Sequence, residues 1–351
     1  MGFFLVEVGL RFLPKSSNDV IRYDPILRRK YLANLDTYIS SEDNNRAVHF
    51  KTNSLGFVGS EYKKEKSGFR IINLGDSFTA GWGVDFDKNF STLLAPMLTE
   101  KTGVRVESLN FGIGGQGTMN SVATYKQYGK QFTPDLVLLW FYLGNDFRDN
   151  LLYKEKEVQV LWQRLANRSE LLYLIITRIQ RNTRLLSIVS MLRGRTGVFG
   201  GAESGMKNVP GDLDIMQSNL SILENKRSEE VTKRYLEFLR TAVEGDGSKL
   251  MVVALPANFQ VDKELEKTYL REYPSLNTAR ADFNAVRSEN KLLEILDELG
   301  LAYLDLVPFM KERCKIDCNF YLVPGGHFSQ GGHKFVASST ADFLIQQELI
   351  K

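Results

Sequence analysis

Histidine and cysteine are nearly missing from this sequence. Three histidines and two cysteines occur in 351 residues. A disulfide-framework fold is therefore excluded, and imidazole chemistry has only His49, His327 and His333 to draw on. Long apolar runs are absent too: no segment reaches the ~18–20 continuous apolar residues that cross a bilayer. Charge of one sign is not in excess. The formal net charge of +3 is too small to argue for nucleic acid, and no aromatic-basic RNA-binding signature occurs. No internal repeat is evident. Hydrophobic residues at 43% and charged residues at 25% fit a globular chain with one large α/β domain, or one domain with an added lobe.

The N-terminal stretch Gly2 to Leu13 is apolar but short, and Glu7 and Arg11 interrupt it. It lacks the basic start and small-residue cleavage site of a secretory signal, so it reads as an amphipathic helix. Residues 1–68 are expected to form an irregular lead-in, turn-rich around Lys51 to Gly59, that packs against the α/β region after it. From Phe69 the pattern alternates: strand 69–74, helix 89–101, strand 104–110, helix 118–130, strand 135–142. It resumes with helix 229–244, strand 249–254, helix 279–299, strand 302–305 and a final helix 331–349. This alternation predicts a three-layer α/β/α, flavodoxin-like parallel sheet over 69–351. A helical and loop insertion interrupts it at about 148–228. Within that insertion, Leu171 to Leu192 carries Arg178, Arg181 and Arg184 near one helical face. A packed lid with solvated arginines is preferred there over a helix lying on a membrane, and the glycine-rich stretch 194–211 reads as a mobile loop.

The chemistry concentrates at the ends of successive strands. Ile71 to Leu74 runs into Gly75-Asp76-Ser77, followed by small residues that open a helix. The plain reading is a βα turn with Ser or Asp as N-cap. The functional reading is a serine held at the rim of a sheet, with helix-start N–H groups facing the same space. Gly112-Ile113-Gly114-Gly115 follows the second strand, Gly144-Asn145-Asp146 follows the third, and His327 lies in His327-Phe328-Ser329-Gln330-Gly331-Gly332-His333. Acyl transfer needs a nucleophile, a base and donors for a developing oxyanion. Ser77 is the one candidate on such a turn, and His327 is the best base. His49 sits in a strand-like stretch and reads as structural. His333 falls inside the final helix, where packing or capping is its expected role.

Ser, Gly, Asn and His in this order resemble the four motif blocks of the SGNH (GDSL) hydrolase superfamily, from about Phe69 to the C-terminus. The resemblance implies a serine esterase working through an acyl-serine intermediate, without cofactor or metal. Ser77 and His327 would be catalytic, and Ser77, Gly115 and Asn145 would form the oxyanion hole. A small-molecule or carbohydrate ester is the implied substrate, with O-acetyl groups on a carbohydrate leading. The same machinery would serve a carbohydrate O-acyltransferase. It also implies a bacterial membrane anchor or extracytoplasmic location if the N-terminus is the end of an anchor, and a cytoplasmic one otherwise. Oligomeric state is left open. One departure stands out. Relatives usually carry an Asp two or three residues before the histidine, where this chain has Gly325 and Pro324. Three alternatives arise: His327 is oriented by a backbone carbonyl; a distant acid, Asp317 or Asp305, reaches in; or activity is weakened or lost. The last would make the chain a non-catalytic SGNH-like binding or assembly protein.

Two other motifs compete. Gly112 to Gly117 matches G-x-G-x-x-G between a strand and a helix, but the acid expected after the next strand is missing. Cys314, Cys318, His327 and His333 echo zinc-ligand spacing, with a gap shorter than the usual finger. A Cys314–Cys318 disulfide or two free thiols are preferred to zinc.

Overall fold

The structure, a computed structural model, describes residues 20–40, 46–153, 226–272, 287–322 and 326–350. The N-terminal helix expected over 2–13, the arginine-bearing helix at 171–192 and the loop at 194–211 lie outside the described residues. The lead-in, expected to be irregular, carries two short antiparallel pairs: β1 (Ile21–Arg22) with β2 (Lys30–Tyr31), and β3 (Asp36–Ser40) with β4 (Ala47–Lys51). After it, strands and helices alternate. They are β5 (Phe69–Gly75), α1 (Ser77–Ala80), α2 (Phe90–Thr102), β6 (Val106–Asn110), α3 (Thr118–Thr124), β7 (Leu136–Tyr142) and α4 (Asp146–Leu152). The second half holds α5 (Lys226–Gly245), β8 (Lys249–Leu255), α6 (Asn258–Val261), α7 (Lys263–Glu272), α8 (Arg287–Leu299), β9 (Ala302–Asp305), α9 (Val307–Cys314) and α10 (Gln330–Gln346).

The five later strands form one parallel sheet in the order β6-β5-β7-β8-β9. Side chains alternate across it with period 2. Ile72, Leu74, Val137, Leu139, Phe141 and Val252 face one core, with Leu236 and Leu239 of α5 and Leu292 and Leu296 of α8. Ile71, Leu138, Trp140, Met251 and Val253 face the other, with Leu94 and Leu98 of α2 and Val336 and Ala341 of α10. Because helices cover both faces, all seven residues of β7 are buried. That explains the unbroken Leu-Val-Leu-Leu-Trp-Phe-Tyr run. Helix α3 is shorter than the 118–130 expected from sequence. A wide turn at Tyr125–Gly129 and a tight one at Lys130–Phe132 replace its second half. The chain must leave the helix here in any case, because Thr133 precedes Pro134, and Thr133 takes φ 46°. Among the described residues no helix is long and apolar enough to cross a membrane.

At the N-terminal edge of the sheet, Arg70 ties the lead-in to the core. Its guanidinium donates to Glu107 Oε2 at 2.7 Å and to the carbonyls of Lys63, Lys64, Glu65 and Phe132. The opposite edge, at the strand C-termini, is where ligands bind in open α/β sheets.

Candidate active site

The turn after β5 is built by two residues before the serine. Gly75 has φ 155°, and a Cβ there would lie 2.3 Å from Thr79 Oγ1 and 2.8 Å from the Trp140 carbonyl, so only glycine fits. Asp76 caps α1, its Oδ1 accepting from Phe78 N at 2.9 Å. Ser77 is thereby freed from capping and becomes the first residue of the helix. Its Oγ lies 2.8 Å from His327 Nε2.

Backbone hydrogen bonds fix the chain on either side of His327's approach to the serine. Leu322 N donates to the His327 carbonyl at 2.7 Å, and Gly326 N to the Leu322 carbonyl at 2.9 Å. The Tyr321 hydroxyl donates to the Pro256 carbonyl, anchoring the chain there to the end of β8. The imidazole packs 4.9 Å from the Phe78 ring, which stacks on Tyr142. Pro324 and Gly325, the positions at which the family resemblance implies an acid, lie outside the described residues. The two acids offered as alternatives have other partners. Asp305 Oδ1 accepts from Val307 N and its carboxyl pairs with Glu289, while Asp317 is exposed and accepts from Asn319 N. Neither is drawn into the Ser77–His327 pair.

The glycine loop after β6 lies against the serine. A Cβ on Gly114 would sit 3.5 Å from Ser77 Cβ. Gly115 takes φ 68°. Asn145 occupies the N-cap position of α4 but its side chain caps nothing, and its buried Oδ1 has no hydrogen-bond partner among the described residues. Ser77, Gly115 and Asn145 thus sit at the ends of β5, the β6 loop and β7 respectively.

Sequence reasoning missed how far the lead-in enters this site. Gly114 N donates to Tyr31 Oη at 3.0 Å. Gln116 Nε2 donates to the carbonyls of Leu27 and Arg29, and Asn120 Nδ2 to that of Leu27. Burial, offset only in part by that Gly114 bond, pushes the Tyr31 phenol up to about 12. No local pattern in this segment signals these contacts. Also missed was a pair of carboxyls behind the serine. Asp76 and Asp146 are both buried, and each has one oxygen without a partner among the described residues. Burial first raises Asp76 to about 7; the charge of His327 pulls it down and that of Asp149 pushes it up. Asp146 is pushed well above the usual carboxylate range by burial and then by the charges of Asp76 and Asp149.

The other histidines are apart from the serine. His49 Nε2 pairs with Asp36 in the β3–β4 hairpin at 2.7 Å. His333 is buried in α10, where Nδ1 accepts from Phe90 N at 3.2 Å, adding a second cap to α2 beside that of Asn89 Oδ1, which accepts from Thr92 N. Cys314 and Cys318 are joined as a disulfide. Of the described residues, the one group close enough to hold a metal is these two sulfurs with Asp262. The disulfide commits the sulfurs, and Asp262 Oδ1 accepts from Glu264 N and Leu265 N. The zinc-like spacing of the sequence therefore divides into three separate places.

Fold and site together define an α/β protein of the hydrolase type, with a serine–histidine pair at the carboxyl edge of a parallel sheet. The chain belongs to the GDSL-like lipase/acylhydrolase family, whose model matches residues 74–270. It is similar to an arylesterase of Vibrio mimicus, 39% identical over 70 residues that make up 20% of this chain and 34% of that one. The chain thus spans about a third of the length of the curated relative it matches. Among solved structures it is similar to a two-domain esterase active on acetylated mannans, at 13% identity and TM-score 0.43, over 79% of this chain and 49% of that one. A Geobacillus acetyl-xylooligosaccharide esterase is similar at 12% identity and TM-score 0.41, over 81% and 95%.

Proposed function

We propose that the chain is a serine esterase in which Ser77 and His327 act as a pair. The observation that carries this is the 2.8 Å contact between Ser77 Oγ and His327 Nε2. That distance lies within the range a general base needs. In this reading Nε2 takes the Oγ proton as the oxygen attacks the acyl carbon. The N–H groups of Ser77 and Gly115 and the Asn145 amide hold the resulting oxyanion. His327 then returns its proton to the leaving alcohol, giving acyl-Ser77, and activates the water that releases the acid. The dyad requires the imidazole proton on Nδ1 before attack. O-acetyl groups on a carbohydrate are the substrate class to test first, as the family resemblance implies. Asp305 and Asp317 have no part in this mechanism, so Asp305→Asn and Asp317→Asn should retain turnover.

The test is intact-protein mass spectrometry after exposure to a serine-directed fluorophosphonate. One adduct on the wild type, absent from Ser77→Ala, is expected, and Ser77→Ala should abolish ester turnover without changing the melting temperature. No adduct under conditions that label a reference esterase would sink the catalytic reading and favour a binding or assembly role.

A further inference from the structure

We propose that Arg29 is a specificity residue that binds an anionic group on the substrate, a carboxylate or phosphate close to the scissile ester. The inference rests on the Ser77 site described above and goes beyond it to the class of ester accepted.

Three observations converge on Arg29. The first is position: a Cβ on Gly115 would lie 2.6 Å from Arg29 Nη1, so the guanidinium covers the side-chain face of a residue assigned to the oxyanion hole. The second is that its backbone is fixed, because the Arg29 carbonyl accepts from Gln116 Nε2 at 3.0 Å, within the same glycine loop. The third is its missing partner. Arg29 is half-buried and its Nε is sealed from solvent, yet the guanidinium has no hydrogen bond or ion pair among the described residues. Its neighbours are both engaged: Arg28 lies 5.8 Å from the centre of the Tyr153 ring, and Lys30 Nζ donates to Tyr128 Oη at 3.1 Å.

A half-desolvated cation without a counter-ion is unfavourable in the free protein. It becomes favourable when a ligand supplies the charge. A guanidinium is permanently charged, and its planar fork matches carboxylate and phosphate oxygens two at a time. Since it sits on the side-chain face of Gly115 and the oxyanion is held by N–H groups, the two negative groups occupy separate places. Their closeness fixes the substrate class. The anionic group must lie on the acyl or alcohol portion directly attached to the ester, no farther away than the opposite side of one aromatic ring.

The experiment compares 4-acetoxybenzoate and 4-acetoxyphenyl phosphate with the neutral 4-acetoxybenzamide, on wild type, Arg29→Met and Arg29→Lys. Wild type should prefer an anionic ester. Arg29→Met should lower kcat/KM for that ester roughly 10- to 100-fold, mainly through KM, while the amide changes less than about 3-fold. Arg29→Lys should recover part of the loss. Whichever anionic ester wins identifies carboxylate or phosphate. No preference in wild type, or an equal fall on charged and neutral esters, overturns the proposal. Calorimetric binding of 4-acetoxybenzoate and 4-acetoxyphenyl phosphate to Ser77→Ala, with and without Arg29→Met, separates this from hydrolysis itself. Arg29-dependent binding without turnover would sink the esterase reading and keep the anion site. Absence of binding for both esters would sink the anion site alone.

Discussion

The two edges of the sheet treat polar groups in opposite ways. At the N-terminal edge the Arg70 side chain is 1% exposed and its charge is matched: one carboxylate and four carbonyls receive its guanidinium. Asp135 alongside accepts from Arg70 N and Lys66 Nζ. At the C-terminal edge, Asp76 Oδ2, Asn145 Oδ1, Asp146 Oδ1 and Arg29 Nε are buried with no partner among the described residues. Native proteins pair nearly all buried polar groups, and the exceptions gather where a ligand or reaction supplies the missing partner. On the proposed reading, one edge serves stability and the other gives up some stability for chemistry.

The sharpest way to break this contrast is to exchange the consequences. Asn145→Ala removes an uncapped amide from the reacting edge. Turnover should fall by ~10²–10³ with little change in KM, and thermal unfolding should be nearly unaffected. A protein that loses several degrees in melting temperature but keeps its kcat would reveal Asn145 as a structural residue. Arg70→Met is the complementary case. It strands Glu107, whose side chain is 19% exposed, together with four carbonyls. Denaturant unfolding should show a loss of about 3–5 kcal/mol, while kcat measured well below the new melting temperature stays near wild type. A large kcat effect from Arg70→Met without destabilisation would mean that the two edges are not separate.

The sequence made the sheet legible because period-2 burial and strand-end glycines are local signals. β9 falls at 302–305 as read, and β5 to β8 differ from expectation by no more than two residues at an end. The pairing of Ser77 with His327 was legible for another reason: with three histidines, little choice existed. What the sequence hid was non-local. Nothing in Leu27 to Tyr31 announces that it will bond to Gly114, Gln116 and Asn120, 83 to 93 residues later. Asp76 and Asp146 each read as an ordinary turn or helix-start acid, and their mutual influence arises only when β5 and β7 lie side by side. Burial of both, which no spacing reports, is what pushes them above the usual carboxylate range.

That burial leads to the smallest expected effect, a pH dependence in which two groups oppose each other. Asp76 sits at about 7 in the folded protein, mainly through burial, against 3.8 when unfolded. Between those values the folded state holds a proton that the unfolded state lacks. Its contribution is complete below pH ~4 and is lost as pH rises through 7. His333 runs the other way. Burial, and then the charge of His327, pushes it down to about 3 from 6.5. The unfolded state takes up the proton first, so its contribution is complete above pH ~6.5 and is lost as pH falls toward 3. From pH 4 to 6.5 the two slopes have opposite sign and offset one another, while Asp146, raised like Asp76, adds to the carboxyl side. Each alone would amount to about 1.4 kcal/mol per pH unit. Asp76→Asn should therefore expose the histidine, making stability rise more steeply with pH across this window than in wild type. His333→Phe should expose the carboxyl and make it fall. Urea unfolding at pH 4.5, 5.5 and 6.5 on the three proteins reads both slopes. If the two variants shift the slope in the same direction, the edge carboxyl is ionised, and the contrast between the satisfied and unsatisfied edges loses its electrostatic half.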